Sequence, residues 1–361
     1  MALPPRHRWL IELTNLPTTS GREHNVVAWV RAWAERRPQI RATADAAGNV
    51  LLTLKGRKRQ APVIAAAHMD HPGFVVESVE GKRLTALFMG GVMEPYFVGA
   101  AVEFHSIGGV IGAVVASAPD VDSRVILDLG RGPTPAAGDI GRWRFPARAL
   151  GVKGDLLSAP ACDDLAGVAA ALVALDKARK NPQLNHFGVL LTRAEEEGFI
   201  GAIGACKLGT IPTGARLLSI ETSRSFPDSP IGAGPIVRVG DLSSIFDHQL
   251  TNAVTEVVRA RKITHQRKLM AGGSCEATAF GAYGHRATGL CLALGNYHNM
   301  ADIDGVKAGG PAVLAPEVIS LADFDGLTGL MLAAAEGIDE ASSSIADRLD
   351  RRYETSRHLL S

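Results

Sequence analysis

The sequence predicts an α/β fold: a mainly parallel mixed sheet with helices on both faces, interrupted by a small all-β barrel. Three observations predict it. Short apolar strands alternate with helical stretches in the first 72 residues and again after residue 151, a pattern that implies a parallel sheet covered on both faces. Residues 74–150 instead hold short alternating runs (FVVESV, AVEFHS, GGVIGAVVA, RVILDLG) with turn residues every 8–12 positions, the signature of a small barrel or sandwich. The chain has 361 residues, room for about two domains. We therefore expect a discontinuous α/β domain, 1–72 plus 151–361, carrying a β-domain inserted at 73–150.

The elements follow in order. Residues 20–36 read as an amphipathic helix, with Ser20 and Glu23 at capping-box spacing and Val26, Val27, Val30 and Trp33 at helical intervals. A turn at Asp45, Gly48 and Asn49 leads into VLLTL, and PVIAAA (62–67) is a second strand ending at His68. After the β-rich stretch, ACDDLAGVAAALVALDKARK reads as a helix, HFGVLLT (186–192) as a strand and GAIGACKLG as a helix. ARLLSI (215–220) is a strand, 245–261 a helix, ATGLCLAL (287–294) a strand and 319–336 another amphipathic helix. The last twenty or so residues are polar and charged, a terminal helix with a frayed tail.

Composition excludes several classes. Apolar residues make up 46% and charged residues 21%, near globular averages, which excludes wholesale disorder. Lys plus Arg number 38 against 37 Asp plus Glu, and aromatics are 5%. The chain thus lacks both the basic excess and the stacking surface of a nucleic-acid binder. Its four cysteines, Cys162, Cys206, Cys275 and Cys291, form no CxxC pair, so neither a disulfide framework nor a zinc knuckle is expected. The N-terminal stretch lacks the apolar core of a signal peptide, and no run of about 18 apolar residues offers a membrane span. A cytoplasmic protein without membrane or nucleic-acid partners is the expectation.

The chemistry gathers at strand ends. His68 follows one strand, Glu195 and Glu196 follow the next, Glu221 follows the third, His298 lies shortly after the last, and Asp163 opens a helix. In open α/β sheets sites form beyond the carboxyl ends of strands, so these residues can converge. Their imidazoles and carboxylates suit zinc, cobalt or manganese. Five or six such donors, with one bridging carboxylate, hold a pair of metals, and a further carboxylate then takes a proton from the attacking water. Asp70, two residues after His68, is placed to orient that imidazole from behind. Singly, each residue has a plainer reading: a structural histidine, a solvated acidic run, or charges favouring a helix N-terminus. Ser274 lacks the strand–GxSxG–helix context of a hydrolase elbow, Cys275 reads as a small buried thiol, and the glycine-rich stretches match no phosphate-binding loop. His71 lies close enough to the site to contact substrate.

These residues resemble a known family, the tetrahedral (TET-type) dinuclear metallo-aminopeptidases, over nearly the whole chain. AAHMDHPGFVV resembles the family's His-Met-Asp-Glu-x-Gly-Phe motif, ACDDLAG its Asp-Asp-Arg-x-Gly motif, and AEEEGFIGA its Glu-Glu-Val-Gly-x-x-Gly-Ala motif. SIETS resembles its Val-Asp-Val-Thr strand end and NYHNM its terminal His segment. The resemblance implies a zinc-exopeptidase-like fold and two divalent metal ions per chain, zinc first, with cobalt or manganese as alternatives. It implies that Asp163 bridges the metals, that His68 and Glu221 complete one site and Glu196 and His298 the other, that Glu195 is the general base, and that Asp70 orients His68. It further implies that the barrel mediates homo-oligomerisation, from a dimer to a dodecamer, and that short peptides are the substrates.

The sequence departs from the family pattern at several points. Glu221 stands where the family has Asp, His71 where it has an acidic residue, and Leu165 where it has Arg. Glu197 adds a third carboxylate, and AGGSCEATAF replaces Gly-Gly-Thr-Asp-Ala, so Cys275 and Glu276 are expected to alter the substrate side of the pocket. The expected function is removal of N-terminal residues from short peptides. A related dinuclear amidase, deacylase or dipeptidase is the alternative, and a non-catalytic scaffold a third.

Overall fold

The computed structural model describes residues 4–56, 60–340 and 345–360. An eight-stranded mixed sheet forms its centre, in the order Ile40–Ala44, Val50–Leu54, Phe187–Thr192, Val63–His68, Arg216–Arg224, Arg286–Leu294, Ile236–Asp241, Gln266–Met270. The four strands from Phe187–Thr192 to Arg286–Leu294 are mutually parallel. Antiparallel pairing is confined to the flanks. Val63–His68 shows why the run VIAAAH is continuously apolar: Val63, Ala65 and Ala67 join one core while Ile64 and Ala66 join another. A strand buried on both faces needs no polar alternation. Helices Leu165–Ala178, His248–Ala260 and Leu321–Gly337 cover one face, and Ile200–Lys207 and Glu276–Ala282 the other.

The β-rich stretch is a closed barrel of six strands, joined in the order Gly73–Glu80, Arg83–Met89, Arg124–Leu129, Gly109–Val115, Ala101–Ser106, Ile140–Trp143. Closure removes the unpaired edges of an antiparallel sheet. Its interior is aromatic: Phe74, Phe88, Phe97, Phe104 and Trp143 are packed mostly edge to face. Gly141 is required there, because a Cβ would lie 2.5 Å from the Phe104 ring.

Four expectations need correction. The helix expected from residue 20 starts at His24, and no capping box forms. Ser20 instead donates its hydroxyl to Asp70, while the Glu23 carboxylate accepts the N–H groups of Gly21 and Ala194. The 319–336 stretch is a strand end followed by the helix Leu321–Gly337, buried on most of its sides rather than amphipathic. Strands Ile236–Asp241 and Gln266–Met270 were not expected; the second is a polar sheet edge. A three-stranded sheet, Gly151–Lys153, Leu156–Ala159 and Glu317–Ser320, was also not expected. The terminal helix is Ile345–Ser356, and residues 341–344 and 361 of the expected tail lie outside the described residues. Among the described residues no helix is long and apolar enough to cross a membrane.

Candidate active site

The central strands place the site. Phe187–Thr192 pairs with one side of Val63–His68 and Arg216–Arg224 with the other. Chain order therefore diverges at Val63–His68, a topological switch point, and a crevice opens beyond the strand ends. His68 ends this strand, in register with Thr192. Glu195 and Glu196 sit in the loop after Thr192 and His298 in the turn after Arg286–Leu294, while Glu221, expected to follow its strand, lies inside Arg216–Arg224. Asp163 precedes the helix Leu165–Ala178. The structure thus brings all six together from distant parts of the chain.

Asp163 is central. Its Oδ1 lies 3.5 Å from His68 Nε2 and its Oδ2 lies 3.5 Å from His298 Nε2. Glu196 Oε1 is 3.1 Å from His298 Nε2, and Glu195 Oε2 is 3.9 Å from His68 Nε2. Ligand atoms of His68, Asp163 and Glu221 lie within 4.8 Å of one another, as do those of Asp163, Glu196 and His298, and those of His68, Glu195 and Glu196. The buried atoms Asp163 Oδ1, Glu196 Oε1, Glu221 Oε1 and His298 Nε2 have no hydrogen-bond partner among the described residues. Buried polar groups are otherwise almost always satisfied. Orphaned ligand atoms converging from four side chains, with His68 Nε2 beside them, fit a site for divalent cations.

A second layer of contacts orients these groups. The His68 Nδ1 faces Asp70, 3.2 Å from its carbonyl and 3.5 Å from Oδ1. Asp70 also accepts the backbone N–H of Glu195 and of Glu196, at 3.0 and 3.2 Å, and the Ser20 hydroxyl at 2.6 Å. His298 Nδ1 lies 2.6 Å from the carbonyl of Gly91, in the segment after the barrel strand Arg83–Met89. His298 has φ 53° and Asn299 φ 65°. Left-handed non-glycine residues cost on the order of 1–3 kcal/mol each and persist where surrounding contacts impose them. Here Glu317 accepts the His298 N–H at 2.9 Å, and its other oxygen accepts those of Cys162 and Asp163.

The electrostatics of the cation-free site follow from burial and excess acid. Burial opposes charge on His68, but Glu195, Asp163 and Asp70 outweigh it and hold its pKa well above the usual histidine value. His298 is raised likewise, by Glu196 and Asp163 against burial. Burial also opposes ionisation of Asp163, yet the two imidazoles hold its carboxyl below the usual range. Burial, then Glu221, pushes the Glu195 carboxyl well above its ordinary value. Burial raises Glu221 too, against His68 and helped by Asp163. Bound cations would offset this crowding of buried carboxylates.

A cavity of about 350 Å³ opens on the cluster, lined by Asp163, Glu195, Glu196 and Glu221 on one side. Arg238, Met270 and Tyr297 are among the residues of its other walls. Two expectations fail here. His71 does not line the cavity; it is buried against the Asp163 carbonyl. Of the AGGSCEATAF segment, Gly272, Gly273 and Ser274 line the cavity, whereas Glu276 is buried away from it and Cys275 is the buried thiol expected. Sequence reasoning missed Ser20, Glu317 and Asn299 as site residues. Glu317 carried a weak signal, an acid abutting the apolar run VIS.

Fold and site together define an α/β protein with an inserted barrel and a candidate metal centre at the sheet's switch point. The model of the M42 glutamyl aminopeptidase family matches residues 48–124 and 137–310, and the chain belongs to this M42 peptidase family. A relative from Acetivibrio thermocellus, named provisionally as an aminopeptidase, is 27% identical over 287 residues, 73% of this chain and 83% of its own. The TET aminopeptidase of the marine sediment archaeon Thaumarchaeota archaeon SCGC AB-539-E09 has a similar structure. Its TM-score is 0.75 at 19% identity, over 93% of this chain and 99% of its own. The TET1 peptidase of Pyrococcus horikoshii, which can assemble into a tetrahedron or a large octahedral shell, has a TM-score of 0.71 at 20% identity, over 91% of this chain and 99% of its own.

Proposed function

We propose that this chain is a metal-dependent aminopeptidase that removes N-terminal residues from short peptides, with Glu195 as general base. One observation carries the proposal: Asp163 offers one oxygen toward His68 and the other toward His298, so a single carboxylate belongs to two candidate ligand groups. In this reading His68, Asp163 and Glu221 hold one divalent ion, and Asp163, Glu196 and His298 hold a second. Imidazole and carboxylate donors suit zinc, and accept cobalt or manganese. Such ions, when bound, supply Lewis acidity toward the scissile carbonyl and make water nucleophilic near neutral pH.

The chain's own residues do the rest. Glu195 borders the cavity; it takes a proton from the attacking water and returns it to the leaving amine. Its carboxyl, raised by burial and by Glu221, suits a group that must both accept and give a proton near neutrality. Asp70 sets the position of this base through the Glu195 N–H while orienting His68 from behind. The free α-amine of the substrate lies beside this cluster, at the cavity face that Glu195, Glu196 and Glu221 line.

We read 1–72 and 151–361 as the catalytic domain and the barrel region 73–150 as an assembly domain. The assembly of the similar TET1 peptidase into a tetrahedron or a large octahedral shell supports a homo-oligomer, and Val98, Ile107, Val110 and Val121 of the barrel region are exposed. The function is tested by chelator-sensitive release of N-terminal residues from free-amine peptides, and by its loss in Glu195→Gln.

A further inference from the structure

His71 is 4% exposed and does not line the cavity. Its Nδ1 lies 2.6 Å from the Asp163 carbonyl oxygen, and its Nε2 lies 3.3 Å from Asn299 Oδ1. The Asn299 amide is oriented by its own Nδ2, which donates to the carbonyls of Pro160 and Ala315 at 3.0 and 3.3 Å, so its oxygen faces His71. Asn299 directly follows His298, and the His71 and His298 rings meet edge to face at 6.0 Å. Two bridges therefore join the Asp163 segment to the His298 turn. Glu317 gathers their N–H groups, and His71, donating from a proton on each ring nitrogen because both partners are acceptors, ties the Asp163 carbonyl to the Asn299 side chain. An ionised acidic side chain, as in the family motif that this segment resembles, has no proton to donate to a carbonyl. The bridge is thus particular to the histidine.

We infer that His71 is a positioning residue that sets the spacing of Asp163 and His298, and so tunes the cation site that those two share with Glu196. The inference rests on the proposed metal centre. It makes the two sites unequal in their dependence on His71. Removing the bridge loosens both Asp163 and His298 in the one site; in the other only the shared Asp163 is touched, and His68 and Glu221 keep their own supports in Asp70 and the strand Arg216–Arg224.

The test is titration of metal-free wild type, His71→Ala and His71→Gln with Zn²⁺ alone by calorimetry, and with Co²⁺ alone by its visible absorption. In His71→Ala one of the two affinities should fall about 10–100-fold, with the other within a few-fold of wild type and an altered Co²⁺ spectrum for the weakened site. His71→Gln, which keeps an N–H donor, should recover part of the loss, and it carries the test if the alanine variant fails to fold. KM should stay near wild type, because the ring does not reach the cavity. Two wild-type affinities in a folded variant, or equal weakening of both, would overturn the inference and leave the aminopeptidase reading standing. A wild type that binds no divalent cation would overturn both.

Discussion

The carboxylate of Asp70 accepts the backbone N–H of Glu195 at 3.0 Å while lying 3.5 Å behind the His68 imidazole. One buried side chain thus holds both a candidate ligand and the candidate base. Burial disfavours its ionisation, but His68, Ser20 and the Glu195 N–H together keep its pKa below the usual carboxylate value. Asp70→Ala should lower divalent-cation affinity about 10–100-fold, and it should lower kcat as well because the Glu195 loop loses its anchor. Ser20→Ala, which removes one contact to the same carboxylate, should cost less on both counts. Calorimetric titration beside steady-state kinetics reads both effects; loss of affinity with kcat intact would separate the two roles.

Glu195→Gln removes the proton acceptor and keeps the shape. Turnover should fall about 10²–10⁴-fold, with cation stoichiometry by elemental analysis unchanged. Wild-type turnover in this variant would remove Glu195 from the mechanism.

Glu276 is buried with both carboxylate oxygens unpartnered, and burial lifts its pKa from 4.5 to about 7. A carboxyl whose pKa is higher in the folded chain favours folding fully below its unfolded pKa, and that stability is lost as pH rises through the folded value. For Glu276 the window runs from about pH 4.5 to about pH 7 and corresponds to roughly 3 kcal/mol. Glu317, raised to about 7 by burial, acts in the same direction. The chelated protein should therefore melt at progressively lower temperature between pH 5 and pH 8. Glu276→Gln should flatten that slope. A melting temperature independent of pH across this range would contradict the assignment.

Arg238 lines the cavity, is 2% exposed and makes no ion pair among the described residues. Its Nη1 reaches Ser223 Oγ at 3.3 Å and its Nε has no partner. Glu221 and Asp241 are near enough to favour its charge without pairing with it. A buried cation with no directly paired carboxylate is costly, so this wall suits an anionic group on the substrate. Glutamyl amides should exceed glutaminyl amides at least tenfold in kcat/KM, and Arg238→Gln should erase the difference. Equal rates in the wild type would contradict this.

Much of the site was legible in the sequence for a local reason. His68, Glu195, Glu196 and Glu221 each end or follow an apolar run, and Asp163 precedes one. Chemistry that interrupts a hydrophobic pattern can be seen without knowing its partners. Ser20 and Glu317 were not legible, because their roles exist only through residues far along the chain: Asp70 is 50 positions from Ser20, and Cys162 is 155 from Glu317. Ser20 was further masked by a plausible local role, since capping-box spacing with Glu23 fitted the helix that follows. The strand Gln266–Met270 escaped notice because an exposed sheet edge needs no apolar alternation, and its sequence QRKLM has none. The barrel was visible because strands such as Gly109–Val115 and Arg124–Leu129 alternate over a filled interior; Ile140–Trp143, which does not alternate, was not.

The most direct measurement is hydrolysis, by the metal-reconstituted protein, of a panel of chromogenic aminoacyl amides beside their N-acetylated counterparts, with a chelated control. The proposed function predicts cleavage of the free-amine set alone, abolished by the chelator and restored by Zn²⁺, Co²⁺ or Mn²⁺. Cleavage of the N-acetylated set alone, or no cleavage of either set by protein that has bound its cations, would contradict it.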